Sequence, residues 1–286
     1  MIPVFLTQIK ARDGIVLDGI VVPPKKKGAY ALIWLHGLTS RFSSGQDLIR
    51  ELSRRTHNSG IGYFKFNTRG HDIVVRGPQK KLIGTAFERF EDSPKDIDAM
   101  IRYARTLGYK KIILAGHSTG ANKVLYYQYK RKNPAVKGII LAGAMSDIYE
   151  WKRRGRGFMT RAIAMAKKLA KKNPQTLMPE KYGVKTAARY LSLYEPGHAE
   201  DVFPYMSPKQ SWKELKSVRV PIAIILGVKD EYLDRTPKAL IRVFAENAKN
   251  TKSFSGVVIQ GANHGFQKKE KELASKIITW VHRNVR

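Results

Sequence analysis

Lys111-Ile112-Ile113-Leu114-Ala115-Gly116-His117-Ser118-Thr119-Gly120 is the stretch that decides the fold. Its first half is a short apolar run of the kind a strand shows when both faces are covered. Its second half spells G-x-S-x-G. Beyond it Ala121, Val124, Leu125, Gln128 and Tyr129 recur at helical spacing, which predicts a helix over Thr119–Lys132. A serine at a turn this sharp takes a strained backbone, and glycine at 116 and 120 leaves room for the chain to fold back. The helix then aims its N-terminus at the Ser118 hydroxyl. The pattern marks Ser118 as a candidate nucleophile; the plainer reading is a glycine-rich strand-to-helix turn.

Outward from this point, strand and helix patterns alternate. Apolar runs at Ala29–Leu35, Ile61–Phe66, Lys111–Ala115, Gly138–Ala142, Val220–Leu226 and Gly256–Ile259 predict buried strands. Helical spacing falls at Gly45–Thr56, Ser93–Leu107, Thr119–Lys132, Thr236–Ala248 and Lys269–Arg286. Such alternation predicts an α/β fold, a mostly parallel central sheet flanked by helices. Val4–Lys10 and Ile15–Val22, joined at Asp13-Gly14, read as a hairpin that supplies an antiparallel edge.

One segment breaks the rhythm. Residues 149–210 carry helical patterns but no good strand, and Trp151–Lys172 is crowded with lysine and arginine and has no acid. Phe158, Ala162, Ala166, Leu169 and Ala170 mark an apolar stripe on that basic helix. The expected organisation is a core formed by residues 1–148 and 211–286 with a helical lid inserted at 149–210. Its place after Ala142-Gly143-Ala144 sets it at the carboxyl ends of the strands, where it would cover a site.

Composition bounds the rest. The chain has 286 residues, enough for one large α/β domain, and no cysteine, which excludes disulfides and thiolate chemistry. Lys and Arg number 53 against 23 Asp and Glu, a formal charge of +30. Such a field attracts anions in general. No nucleic-acid-binding motif accompanies it, so a specific nucleic-acid partner is not expected. No run approaches a transmembrane span and the N-terminus does not read as a signal peptide, so a cytoplasmic protein is expected. No spacing suggests a metal, no phosphate-binding glycine loop is found, and no cofactor is implied.

A serine hydroxyl needs a base, and the base needs an orienting acid, in loops that follow strands. His264, in Gly261-Ala262-Asn263-His264-Gly265, follows the last apolar run and is the candidate base, with His198 as its rival. Asp230, in Gly227-Val228-Lys229-Asp230, follows the preceding run and is the candidate acid; Glu231 and Asp147 are alternatives. Two backbone amides must hold the oxyanion: Thr119, after the nucleophile, and either Leu38 or Thr39 in the loop after Leu35. His36 and Gly37 in that loop are candidate substrate contacts, with His36 also placed to brace the loop. Arg69 and His71 read as structural, and Lys123, Tyr126 and Tyr127 as packing or solvent-facing residues of the helix.

Together, His36-Gly37, Gly116-His117-Ser118-Thr119-Gly120, the Asp230 loop and Asn263-His264-Gly265 resemble the α/β-hydrolase superfamily over nearly the whole chain. Phe90-Glu91-Asp92, Gly116–Lys123, Ser146-Asp147 and Arg189-Tyr190-Leu191-Ser192-Leu193-Tyr194 are loosely similar to the branch that includes fungal siderophore esterases. The resemblance implies a serine hydrolase cleaving a carboxylic ester through an acyl-enzyme on Ser118. The basic insertion suggests an acidic or amphipathic small-molecule substrate. An amidase or thioesterase with the same triad, and a non-catalytic binding protein on the same fold, are the alternatives.

Overall fold

In the computed structural model, residues 1–77, 81–207 and 211–285 are described. The opening hairpin is β1 (Phe5–Lys10) and β2 (Val16–Val22), followed by β3 (Tyr30–Leu35), α1 (Gln46–Asn58) and β4 (Gly62–Phe66). A small ribbon, β5 (Val75–Arg76) and β6 (Leu82–Ile83), precedes α2 (Ser93–Thr106), β7 (Lys111–His117), α3 (Thr119–Arg131) and β8 (Val136–Ala142). Then come α4 (Glu150–Arg154), α5 (Arg156–Lys172), α6 (Ala187–Tyr194) and α7 (Lys213–Ser217). The chain closes with β9 (Ile222–Gly227), α8 (Pro237–Asn247), β10 (Phe254–Ile259) and α9 (Glu270–Asn284). The expected ends of the insertion at 210 and of the last helix at Arg286 lie outside the described residues.

The main sheet has eight strands in the order β1-β2-β4-β3-β7-β8-β9-β10. From β4 to β10 every pairing is parallel, and β2 joins β4 antiparallel, as the hairpin at the edge predicts. The period of two along each strand divides the core into two layers. Ile112 and Leu114 of β7 face α2, α3 and α8 through Met100, Val124 and Phe244. Ile113 and Ala115 face the other way, toward Leu52 of α1 and Leu273 and Ile277 of α9. Both faces are covered, which is why these strands read as unbroken apolar runs.

Order along the sheet fixes where a ligand can go. After β3 the chain steps outward to β4, then crosses back over β3 to β7 and proceeds the other way. This reversal opens a crevice beyond the carboxyl ends of β3 and β7. The loop that begins at His36 and the turn at Ser118 both stand there.

The segment after β8 packs around a small core of its own. Ala162, Ile163 and Ala166 of α5 bury against Tyr182, Ala187, Tyr190 and Leu191, with Phe158, Leu169 and Ala170 at the margin. The apolar stripe on the basic helix is thereby absorbed, and its charged side is left outward. The β5–β6 ribbon was not legible in the sequence, because two-residue strands carry no period.

Candidate active site

Ser118 sits between β7 and α3 with φ 54° and ψ −127°, a left-handed conformation that costs a non-glycine residue about 1–3 kcal/mol. Its amide donates to the Ala142 carbonyl of β8 at 2.9 Å, which ties the strained turn to the sheet. The flanking glycines are required by close approach. A Cβ at 116 would lie 2.2 Å from the Gly120 carbonyl oxygen, and one at 120 would lie 2.5 Å from that of Leu35.

His264 stands in the loop after β10 and is clamped at three points. Its ring Nδ1 is 3.0 Å from each carboxylate oxygen of Asp230, its backbone N–H donates to Glu231 Oε2 at 3.0 Å, and its carbonyl accepts from His117 Nε2 at 2.8 Å. A carboxylate offers only acceptors, so Nδ1 carries the proton and Nε2 keeps its lone pair. Asp230 is buried in the loop after β9, where Oδ1 also accepts the Tyr232 amide at 3.0 Å. The Tyr232 ring packs 4.6 Å from the imidazole. Glu231 therefore supports the backbone of His264 rather than its ring. His198 pairs instead with Glu195 at 2.9 Å, and Asp147 receives the Asn122 amide at 3.3 Å. His117, the variable residue of the pentapeptide, went unrecognised as a support because nothing in a single sequence says that its ring meets a loop far along the chain.

The structure separates the two candidate oxyanion donors. Thr39 is itself at φ 57° and its amide donates to Thr85 Oγ1 at 3.0 Å. Among the described residues the Leu38 amide has no partner, so it is the one available to a ligand, along with Thr119 at the start of α3. Gly37 lines the pocket, and a Cβ there would touch Ser118 Cβ at 3.0 Å.

His36 departs from the expectation of a substrate contact. It is buried beneath the loop, donates from Nδ1 to the Gly37 carbonyl at 2.9 Å and accepts the Thr68 amide at Nε2 at 3.0 Å. Both ring nitrogens are used, which makes it a brace. Burial and the nearby Lys123 charge push its pKa down to about 3, and burial brings His117 to about 4. Each of these rings is neutral in the folded chain yet titrates near 6.5 when unfolded. As pH falls below 6.5 the unfolded state binds protons first, so stability is lost at up to about 1.4 kcal/mol per pH unit for each ring. The melting temperature should drop from pH 7 to pH 5, and His36→Gln should flatten that slope; an unchanged slope in the variant would refute the assignment.

Lys123 also differs from its reading as a packing or solvent-facing residue. It is 1% exposed. Its ammonium lies 2.5 Å from Glu88 Oε1 and donates to Thr68 Oγ1 at 3.1 Å. Glu88 in turn meets Arg189 of α6 at 3.1 Å, and Arg189 pairs with Glu200. The helix behind the nucleophile is thus joined to the inserted segment through buried charges. Arg69 is held by Asp96 and Asp13 at 2.7 and 2.8 Å, a structural role as expected.

Ser118, Thr119, Gly37, Leu38, Thr39, His117 and His264 line one pocket of about 410 Å³. Its outer wall comes from the segment after β8: Asp147, Glu150, Arg153, Arg154, Lys185 and Tyr194. A larger cleft of about 670 Å³, bordered by Lys132, Lys137, Arg219 and Lys252, contains no histidine or carboxylate. The candidate nucleophile and the candidate base share a cavity at the Ser118 pocket.

Solved structures share this architecture. The esterase Pf2001 of Pyrococcus furiosus superposes with a TM-score of 0.64 at 16% identity, over 100% of this chain and 92% of its own. Est1E of Butyrivibrio proteoclasticus, with ferulic acid bound, gives 0.67 at 18% identity over 97% of this chain and 98% of its own. XC6422 of Xanthomonas campestris, described as a serine hydrolase without lid, gives 0.59 at 15% identity over 99% of this chain and 95% of its own. No curated protein matches the chain. At these identities the neighbours establish the α/β-hydrolase fold. Residues 83–286 match the family described as "Protein of unknown function (DUF1749)", and the chain belongs to that family.

Proposed function

We propose that this protein is a serine hydrolase that cleaves a carboxylic ester by way of an acyl-enzyme on Ser118. The observation that carries the reading is that a strained Ser118 and His264 border the same pocket, with His264 Nδ1 committed to Asp230 and Nε2 left to act as a base. In the first half-reaction Ser118 Oγ attacks the acyl carbon while His264 takes its proton. The amides of Thr119 and Leu38 receive the oxyanion, each such donor contributing about 3 kcal/mol to transition-state stabilisation. His264 then protonates the leaving alcohol, and in the second half-reaction it activates water against the acyl-enzyme. Asp230 orients the ring and stabilises the imidazolium. That Pf2001 and Est1E, two proteins of the same fold, are named esterases supports the choice of an ester.

Among the described residues no helix is long and apolar enough to cross a membrane. The segment at 149–207 supplies a wall of the pocket, which supports its reading as a lid. A fluorophosphonate probe, which traps an activated serine, is expected to label the protein on the peptide carrying Ser118. Turnover of 4-nitrophenyl esters should fall in parallel with labelling. A protein that takes up no label and turns over no ester in the series would leave the site without this chemistry.

A further inference from the structure

We propose that Lys185, backed by Arg153 and Arg154, forms an anion subsite in the Ser118 pocket, so that the substrate is an ester that also carries a carboxylate. The proposal rests on the serine hydrolase reading for the word ester, but the subsite itself does not depend on it. Two acidic and three basic side chains of the inserted wall border the pocket: Asp147, Glu150, Arg153, Arg154 and Lys185. Glu150 holds both arginines, with Arg153 Nε at 2.7 Å and Arg154 Nε at 2.8 Å. One carboxylate set against two guanidinium groups leaves a positive charge over.

Lys185 adds another. Among the described residues no carboxylate lies within 4.0 Å of its ammonium, which stands 5.9 Å from the centre of the Tyr194 ring in the pocket wall. Asp147 does not compensate it. Burial and the Glu200 charge push that carboxyl well above its ordinary range, which weakens it as a counter-ion, and its Oδ2 already accepts from the Asn122 amide at 3.3 Å. The inserted wall thus sets three cations against Glu150, which is already committed to two of them.

Elsewhere among the described residues, three buried cations are matched by carboxylates. Lys123 has Glu88, Arg189 has Glu88 and Glu200, and Arg69 has Asp96. Lys65, without a carboxylate, donates to the Ser44 carbonyl. A half-buried lysine with no counter-ion is disfavoured, and burial lowers the Lys185 pKa accordingly. A carboxylate arriving with the substrate would remove that cost, whereas a neutral ester would leave it standing. The free energy gained is available only to a substrate that reaches this wall.

Because the whole chain carries +30, a general field could also favour anions, and the test has to separate the two. Mono-4-nitrophenyl adipate and pimelate are compared with 4-nitrophenyl hexanoate and heptanoate. Wild type, Lys185→Met, Lys185→Arg and Lys171→Met, a change on the exposed side of α5, are measured as ratios of kcat/KM. The anionic esters are expected to be preferred, with the preference falling roughly tenfold in Lys185→Met and kept in Lys185→Arg and Lys171→Met. Adipate and hexanoate binding are measured by calorimetry on the same proteins. Adipate bound by wild type and lost in Lys185→Met supports the subsite even if no ester is turned over, an outcome that would overturn only the hydrolase reading. No adipate binding, or a loss in Lys171→Met as large as in Lys185→Met, overturns the subsite whatever the turnover.

Discussion

Ser118→Ala is expected to lower kcat/KM for 4-nitrophenyl esters by roughly 10⁴-fold or more, to the level of the oxyanion donors and binding alone. The variant keeps Cβ, so the left-handed backbone at φ 54° remains as strained as before and the Ala142 tie is preserved. Melting temperature should therefore change little, which separates lost chemistry from lost fold. Asp230→Asn is the companion. It replaces a carboxylate that accepts both from His264 Nδ1 and from the Tyr232 amide with a group that offers a donor on one side. The ring is then free to present the wrong tautomer, at a cost of about 10⁴ in kcat where this has been isolated in other triads. Steady-state kinetics on the three proteins decide the matter: equal turnover in wild type and Ser118→Ala would remove the serine from the mechanism.

Glu88→Ala carries the largest expected loss of stability. Glu88 is fully buried between two cations, with Lys123 at 2.5 Å and Arg189 at 3.1 Å. Burial pushes its carboxyl upward, but Lys123 and Arg189 outweigh that and hold it below its ordinary value. Removing the carboxylate leaves two cations desolvated and only one of them, Arg189, with another carboxylate, Glu200, while Lys123 keeps only the Thr68 hydroxyl. Breaking a buried pair from one side costs about 3–5 kcal/mol, and here it also loosens the join between α3 and α6. For a chain of this size that lowers the melting temperature by roughly 10 °C. Glu88→Leu combined with Lys123→Met should recover part of the loss, since an apolar pair of similar volume leaves fewer charges unpaired. A loss below about 1 kcal/mol for Glu88→Ala in chemical denaturation would show that the cluster is not held as a closed network.

How far the chain could be read one residue type at a time depends on distance along it. The strands were visible because burial on both faces turns each into an apolar run, and the helices because their buried stripes repeat within a few residues. The strand-turn-helix around Ser118 was legible for the same reason in part: Gly116 avoids a contact with its near neighbour Gly120, whereas Gly120 makes room for the remote Leu35 carbonyl. Where the deciding contact is remote, local pattern is silent. Thr39 is disqualified as the free amide by Thr85, a hydroxyl 46 residues on. His36 serves as a brace because Thr68 sits 32 residues away, and Lys123 is buried because Glu88 and Thr68 reach it from other elements.

The sequence by itself determined the alternation of strands and helices, the turn that strains Ser118 and the loops that bring Asp230 and His264 after their strands, since all of these follow from short-range periodicity and backbone sterics. Only the tertiary structure decided which acid faces the His264 ring, which amide stays free, and that Arg153, Arg154 and Lys185 wall the pocket. Those choices turn on charges and hydrogen bonds between residues that meet only once the sheet has closed, and their energies depend on burial that no local stretch of chain can provide.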